Sequence, residues 1–404
     1  MSKTDLTIRV MPSIADIPAA AWDACANPAA HPDAQHQETS EIPYNPFVSH
    51  AFLRALEDSQ SATARTGWQP QHLVAETGDG RVAGVVPCYL KSHSRGEYVF
   101  DRGWAEAFER AGGSYYPKLQ VSVPFTPATG RRLLAAPGPG AEHIRLGLLQ
   151  GLMELCTLRD ASSAHITFMP EDEWTLAASL GFLQRTDQQF HWTNEGYATF
   201  EDFLAALASR KRKLIRRERR DALANGIEVV WLTGSDLTEA VWDAFFQFYM
   251  DTGSRKWGRP YLTRQFYSLI GQTMADKILL VMARRAGRYI AGAINFIGSD
   301  TLFGRHWGAI EHHPFLHFEV CYYQAIDFAI ANGLRRVEAG AQGEHKLARG
   351  YLPRTTYSAH YIANAGFRRA IADYLARERD YVRAMGEELE EMSPFRHDAA
   401  AEDA

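Results

Sequence analysis

What most restricts the fold of this chain is that it repeats itself over a domain-sized distance. The segment Asp16–Ala24 (DIPAAAWDA) aligns without gaps on Asp236–Ala244 (DLTEAVWDA). Each follows a short β-type stretch, Leu6 to Val10 in one case and Ile227 to Leu232 in the other. Pro46-Phe47-Val48-Ser49 and Pro260-Tyr261-Leu262-Thr263 then lead helical patterns with Phe52 and Phe266 at matching places. His72 to Ala75, a Gly78-Asp79-Gly80 turn and Val82 to Val86 correspond to Leu279 to Ala283, Ala286-Gly287-Arg288 and Ile290 to Ile294. Farther on, Leu149-Gln150-Gly151-Leu152 and Tyr323-Gln324-Ala325-Ile326 open matching helices, which run into strands at Ala164 to Met169 and Arg335 to Ala339. Blocks recurring in one order at this spacing describe a duplicated domain, not a solenoid.

Each copy reads strand, helix, helix, two-stranded hairpin, strand, long helix, strand, short helix, strand. Hairpins followed by a β-α-β crossover imply a mixed sheet with helices on its faces. That order resembles the N-acetyltransferase-like module, in which two central strands splay apart and acyl chemistry takes place in the gap. The expected fold class is α/β (α+β): two tandem N-acetyltransferase-like modules, each a mixed twisted sheet flanked by helices. The first covers 1–195 and the second 196–385, beginning with a basic helix; 386–404 form a charged tail. A length of 404 residues exceeds what one core usually organises, consistent with two domains. Thr199 with Asp202 forms a capping-box signal. Phe200, Phe203, Leu204, Leu207, Leu214 and Ile215 follow at helical spacing, and Asn225-Gly226 supplies a stop. Phe367 to about Met392 is a long charged helical pattern, and His397 to Ala404 is predicted to be disordered.

The formal net charge of −5 excludes a protein that coats nucleic acid over its whole surface, so any anion binding must be local. The N-terminus has no apolar signal-like region, and no apolar run is long enough to span a bilayer. Cys25, Cys88, Cys156 and Cys321 are scattered without a CxxC pair, which fits free thiols in a reducing compartment. A cytoplasmic location is expected.

Three segments carry chemistry. In Arg210-Lys211-Arg212-Lys213-Leu214-Ile215-Arg216-Arg217-Glu218-Arg219-Arg220, eight of eleven residues are basic. Arg210, Lys211, Lys213, Arg216 and Arg217 suit phosphates of a nucleotide or an RNA backbone. The bland alternative is a solvated linker helix. The second segment, Leu302 to Glu319, holds Arg305, His306, His312, His313, His317 and Glu319. Acyl transfer to an amine needs a base and oxyanion donors, and His317 or Glu319 qualifies as the base. Helix capping and packing are the alternative for these histidines. No metal is expected, because no HExxH or CxxC spacing accompanies them. In the third segment, Glu338 to Tyr351, Glu338 or His345 could take a proton, while Lys346 and Arg349 could hold phosphate or carboxylate. The first copy offers Lys91 to Trp104 as a counterpart, with Tyr98 and Asp101 as binding candidates. Tyr115 to Leu119 and Val123 to Pro127 would line a cleft or pack an interface. Cys321 is either a nucleophile or a buried thiol.

These residues resemble the FemAB-like family of peptidoglycan biosynthesis N-acyltransferases. The resemblance rests on Gly96 to Asp101, Tyr115 to Leu119, Val123 to Pro127, Gln189 to Trp192, Ser209 to Lys213, Leu316 to Gln324 and Glu338 to Lys346. It implies a Fem-type transfer of an acyl or aminoacyl group to a primary amine on a muropeptide-like acceptor, with no tightly bound cofactor. By the same resemblance the donor is aminoacyl-tRNA, met by the Arg210–Arg220 helix, or an acyl-CoA. Coenzyme A users of the fold carry a [Q/R]-x-x-G-x-[G/A] loop entering the long helix. The nearest match here, Arg305-His306-Trp307-Gly308-Ala309-Ile310, lacks the final small residue. The runner-up enzyme reading is a coenzyme A-dependent N-acetyltransferase of a small amine, and a non-catalytic nucleotide- or RNA-binding module is the reading from another class.

Overall fold

In the computed structural model, residues 6–28, 42–256, 260–340 and 343–396 are described. The tail predicted from His397 onward therefore lies outside the described residues, as does Gln342. The chain divides into two compact units of three segments each. Unit 1 comprises Met1–Asp187, Tyr261–Met274 and Thr355–Val382; unit 2 comprises Gln188–Pro260, Ala275–Arg354 and Arg383–Ala404. The division is thus not one cut near residue 195, because a helix of the second repeat and the last strand–helix stretch belong to unit 1.

The described strands, in chain order, are β1 (Leu6–Met11), β2 (Trp68–Pro70), β3 (His72–Thr77), β4 (Val82–Val86), β5 (Cys88–Lys91), β6 (Lys118–Val121), β7 (Leu134–Ala135) and β8 (Ser163–Met169). They continue with β9 (Leu183–Thr193), β10 (Ile227–Leu232), β11 (Ile278–Arg285), β12 (Arg288–Ile297), β13 (Thr301–Ala309), β14 (Arg336–Glu338) and β15 (Leu352–Ile362).

In unit 1 one sheet runs β1-β3-β4-β7, and a second runs β15-β8-β6-β5-β2. Pro87 separates β4 from β5, and its missing N–H interrupts the ladder where the strand passes from one sheet to the other. The Ala141–Leu158 helix buries Leu148, Leu149, Leu152, Leu155 and Cys156, a helical period. It packs on Leu73, Val86, Leu119, Val121, Ala164 and Ile166 in one apolar core.

In unit 2 the strands run β10-β11-β12-β13-β14-β9, antiparallel except for β13 and β14, which are parallel. The β11–β12 hairpin closes at Arg285↔Arg288 over Ala286 (φ 50°) and Gly287 (φ 76°), the two positive φ values that a tight right-twisted hairpin needs. Leu279, Val281 and Ala283 alternate into a core shared with Val320, Tyr323, Ala325, Ile326 and Ala329.

The duplication is visible in detail. Ser49 caps the His50–Asp58 helix by accepting from the Phe52 N–H, and Thr263 caps Arg264–Thr273 by accepting from the Phe266 N–H. Trp22 and Trp242 are both buried at equivalent helix positions. The Thr199–Asp202 capping box forms as the sequence implies. The helical pattern from Phe200 to Ile215, however, breaks at extended Leu207 into Phe200–Ala206 and Ser209–Ala222. Leu207 there pairs with Phe395, a tertiary contact that overrides the local periodicity. Among the described residues, no helix is long and apolar enough to cross a membrane.

Candidate active site

Parallel β13 and β14 are hydrogen-bonded only from Thr301↔Arg336 to Phe303↔Glu338. Beyond that point β13 continues to Ala309 while β14 ends, so the two strands part at Glu338. The β12–β13 register shifts between Ile294↔His306 and Asn295↔Gly304, which leaves Arg305 as the extra residue of a bulge. Gly308 lets the Glu239–Lys256 helix lie directly on β13: a Cβ there would stand 2.1 Å from the Phe248 carbonyl oxygen.

After β13 the chain turns through Glu311–Phe315 into Leu316–Phe318, a π turn at Glu319–Tyr323 and the Gln324–Ala331 helix. A cavity of about 580 Å³ opens at this turn, lined by Asp251, Trp307, His312, His313, His317 and Phe318 among others. The Glu311 carboxylate at its rim accepts from His313 Nε2 (2.9 Å) and from Arg285 (2.7 Å), which together hold it below the usual range.

A tyrosine–histidine pair lies beside the cavity. The Tyr322 hydroxyl is 2.9 Å from His345 Nε2, and the His317 ring is 5.4 Å from the Tyr322 ring and 6.3 Å from the His345 ring. Burial pushes the Tyr322 phenol well up, so it stays protonated. Gly343, at φ 122°, makes room for the His345 ring, which a Cβ would meet at 2.4 Å. Arg349 stacks its guanidinium 3.5 Å over Phe318 and donates to the His345 carbonyl (2.6 Å) and to Glu218 Oε1 (2.7 Å). Lys346 is buried and donates to the Gly340 carbonyl at 2.8 Å; burial lowers its ammonium to about 8.

The candidate residues therefore sort by surroundings. Glu338 sits where the strands part, Arg305 is the bulge residue of β13, and His317 lines the cavity with the His345 ring beside it. Glu319 is fully buried and accepts from Arg219 (2.9 and 3.1 Å) and Gln324 (2.7 Å), so it anchors helices and is not placed to take a proton from a substrate. Lys346 and Arg349, taken from the sequence as anion binders, are instead tied to the backbone of their own loop and to Glu218, and so hold His345 in place. Arg305–Ala309 lie inside strand β13, not in a loop entering the helix, so the coenzyme A-type match does not occupy the position that motif has.

On the Ser209–Ala222 helix, Arg216 pairs with Glu201, Arg217 and Arg220 with Asp221, and Arg219 with Glu319 and Asp327. Arg210, Lys211, Arg212 and Lys213 make no ion pair with described residues. In unit 1 Tyr98 adopts φ 61°, and Asp101 is buried against Lys118. Sequence reasoning missed Tyr322 as a site residue. Only the doubled tyrosine hinted at it, because the π turn that aims it changes the helical register.

A family model for FemAB-like proteins, described as peptidoglycan biosynthesis/recognition, matches residues 13–397. The chain belongs to the FemAB-like family. Among solved structures, this FemAB-like chain is similar to FemX, at 12% identity over 78% of this chain and 93% of that one, with a TM-score of 0.51. It is also similar to a conserved Bacteroides thetaiotaomicron protein of unknown function, at 12% identity over 88% of this chain and all of that one, with a TM-score of 0.50. A tandem GNAT protein from the clavulanic acid biosynthesis pathway aligns at 14% identity over 89% of this chain and 99% of that one, with a TM-score of 0.45. No curated protein sequence is significantly similar to this one. The fold is mixed α/β with twisted sheets and helices, as the element order implied, and it is similar to that of FemX.

Proposed function

We propose that this FemAB-like chain transfers an acyl or aminoacyl group from an activated ester to a primary amine, and that the reaction takes place in unit 2 where β13 and β14 part. The observation that carries this is the opening itself, a parallel pair that separates after three residues; a cavity lies at the turn that follows β13, with a Tyr–His pair beside it. Donation from His345 Nε2–H to the Tyr322 oxygen leaves Nδ1 as the lone-pair base. The amine nitrogen attacks the ester carbonyl, His345 Nδ1 takes the amine proton, and the C–O bond of the leaving group breaks. The Tyr322 hydroxyl proton passes to the departing oxygen, so the products are an amide and a neutral alcohol. Arg305 and backbone N–H groups at the bulge serve as the oxyanion donors in this reading.

Family membership supports a muropeptide-like amine as acceptor. For the donor, the turn into the helix argues against a diphosphate cradle. Pro314 has no N–H, Phe315 is left-handed at φ 63°, and the Glu311 carboxylate lies at the rim. The cationic end of the Ser209–Ala222 helix supports a polyanionic donor such as aminoacyl-tRNA over acyl-CoA. The test is mass-spectrometric detection of the amide when the full chain is given a UDP-linked muropeptide with aminoacyl-tRNA or with acetyl-CoA. Amide from the aminoacyl donor is expected. Amide only from acetyl-CoA would replace the donor assignment, and saturable binding with no amide from either would make the chain a binding module.

A further inference from the structure

The basic stretch Arg210–Arg220 contains one acidic residue, Glu218, and the Ser209–Ala222 helix buries it. Ile215, Glu218 and Ala222 form the buried stripe of that helix, so a carboxylate stands where the helical period calls for an apolar side chain. Burying a carboxylate is costly unless charge and hydrogen bonds compensate it. Both of its oxygens are engaged. Oε1 accepts from Arg349 Nη2 at 2.7 Å, and Oε2 accepts from the Tyr323 hydroxyl. Arg349 and Tyr323 are themselves buried.

Those two partners lead to the two members of the Tyr322–His345 pair. On one side, Arg349 Nη1 donates to the His345 carbonyl at 2.6 Å. Its guanidinium also lies over the Phe318 ring, whose centre is 5.8 Å from that of the His345 ring. On the other side, Tyr323 is the neighbour of Tyr322 in the π turn Glu319–Tyr323. Successive residues of a helical turn point about 100° apart, so pinning the Tyr323 ring fixes the direction in which Tyr322 points. Arg219, the next residue of the helix, clamps the start of the same turn by donating to Glu319 at 2.9 and 3.1 Å. The pair itself joins side chains 23 residues apart at 2.9 Å, and Glu218 is the group to which both of their elements are tied.

We propose, resting on the transfer reading of unit 2, that Glu218 is a positioning residue for that reaction: through Arg349 it sets His345, and through Tyr323 it sets Tyr322. Glu218 lies outside the cavity lining and reaches each member of the pair through one intermediary. An ion pair that serves folding alone would register only in stability. One that positions the pair registers in how strongly Tyr322 and His345 depend on each other.

The experiment is a double-mutant cycle on the rate at which diethyl pyrocarbonate modifies His345 in the full chain, read by peptide mass spectrometry near neutral pH. It needs no substrate, so a parent chain that forms no amide would sink the transfer reading and leave this measurement intact. In the parent, Tyr322→Phe removes the partner of His345 Nε2 and should change the rate about fivefold, the worth of one neutral hydrogen bond. In a chain carrying Glu218→Gln and Arg349→Met both buried charges are gone together, so the denaturation midpoint should stay near that of the parent. There Tyr322→Phe should change the rate by less than about twofold. Tyr323→Phe removes a single hydroxyl and leaves the ion pair, so it keeps the test open if the double variant does not fold; it too should shrink the Tyr322 effect. An equal Tyr322 effect in every folded background, or no effect in the parent, would overturn the proposal.

Discussion

At Gly308 only a hydrogen fits between β13 and the Phe248 carbonyl. Gly308→Ala must therefore push the Glu239–Lys256 helix off the strand that carries the opening. Overpacking against backbone predicts a loss of about 1–3 kcal/mol, measurable by urea denaturation. Buried titratable side chains give a second prediction at this scale. Burial holds His165 and His191 at about 3, and burial with His165 beside it also lowers His360 well below the usual imidazole value. Unfolded histidines bind protons from about pH 6.5 downward while these stay neutral in the fold, so each removes stability as pH falls. The loss is on the order of 1 kcal/mol per histidine at pH 5.5. Glu173 acts the other way. Burial raises it to about 7, so the fold binds a proton there between about pH 7 and 4.5 that the unfolded chain does not. Denaturation at pH 7.5 and 5.5 should show a net loss on acidification, steeper in Glu173→Gln. A pH-independent midpoint would contradict both assignments.

At the scale of elements, the two halves of the Ser209–Ala222 helix differ in their surroundings. Its C-terminal half is an anchor: Arg219 meets fully buried Glu319, pairs with Asp327 and lies 4.3 Å from the Phe200 ring centre. Arg219→Ala would strand the buried Glu319 charge and should cost about 3–5 kcal/mol. At the N-terminal half, four cations sit against an unfavourable helix dipole and make no ion pair with described residues, so they do little for stability. Replacing Arg210, Lys211, Arg212 and Lys213 by Ala should leave the denaturation midpoint nearly unchanged. With aminoacyl-tRNA as the proposed donor, it should also weaken tRNA binding and flatten its salt dependence by about 0.7 per lost contact. Local signals such as the Thr199–Asp202 box, the Ala286-Gly287 turn and the paired caps at Ser49 and Thr263 were legible in the sequence, because each depends on neighbours a few residues away. The break at Leu207, the assignment of Arg264–Thr273 to unit 1 and the π turn at Glu319–Tyr323 were not, because tertiary contacts impose them. For the same reason the sequence pointed to the Leu302–Glu319 and Glu338–Tyr351 segments but could not pair Tyr322 with His345, nor show that Glu319 and Arg349 are consumed by internal ion pairs.

For the whole molecule, the duplication raises the question of which copy is open. In unit 1 the corresponding parallel pair, β6 and β8, is hydrogen-bonded from Leu119↔Ala164 to Val121↔Ile166. Beyond it, buried Arg132 donates to the carbonyls of Thr167 (3.0 Å), Gly130 (2.8 Å) and Ala128 (2.7 Å). The opening in unit 2 is the one in which the transfer is proposed. The most direct test is the single-turnover rate of amide formation by the parent chain, His345→Ala and Tyr322→Phe, each first shown to be folded by its denaturation midpoint. The account predicts that His345→Ala loses about 10²–10⁴-fold in rate and that Tyr322→Phe loses rate mainly with poor leaving groups. Unchanged turnover in both folded variants would contradict it.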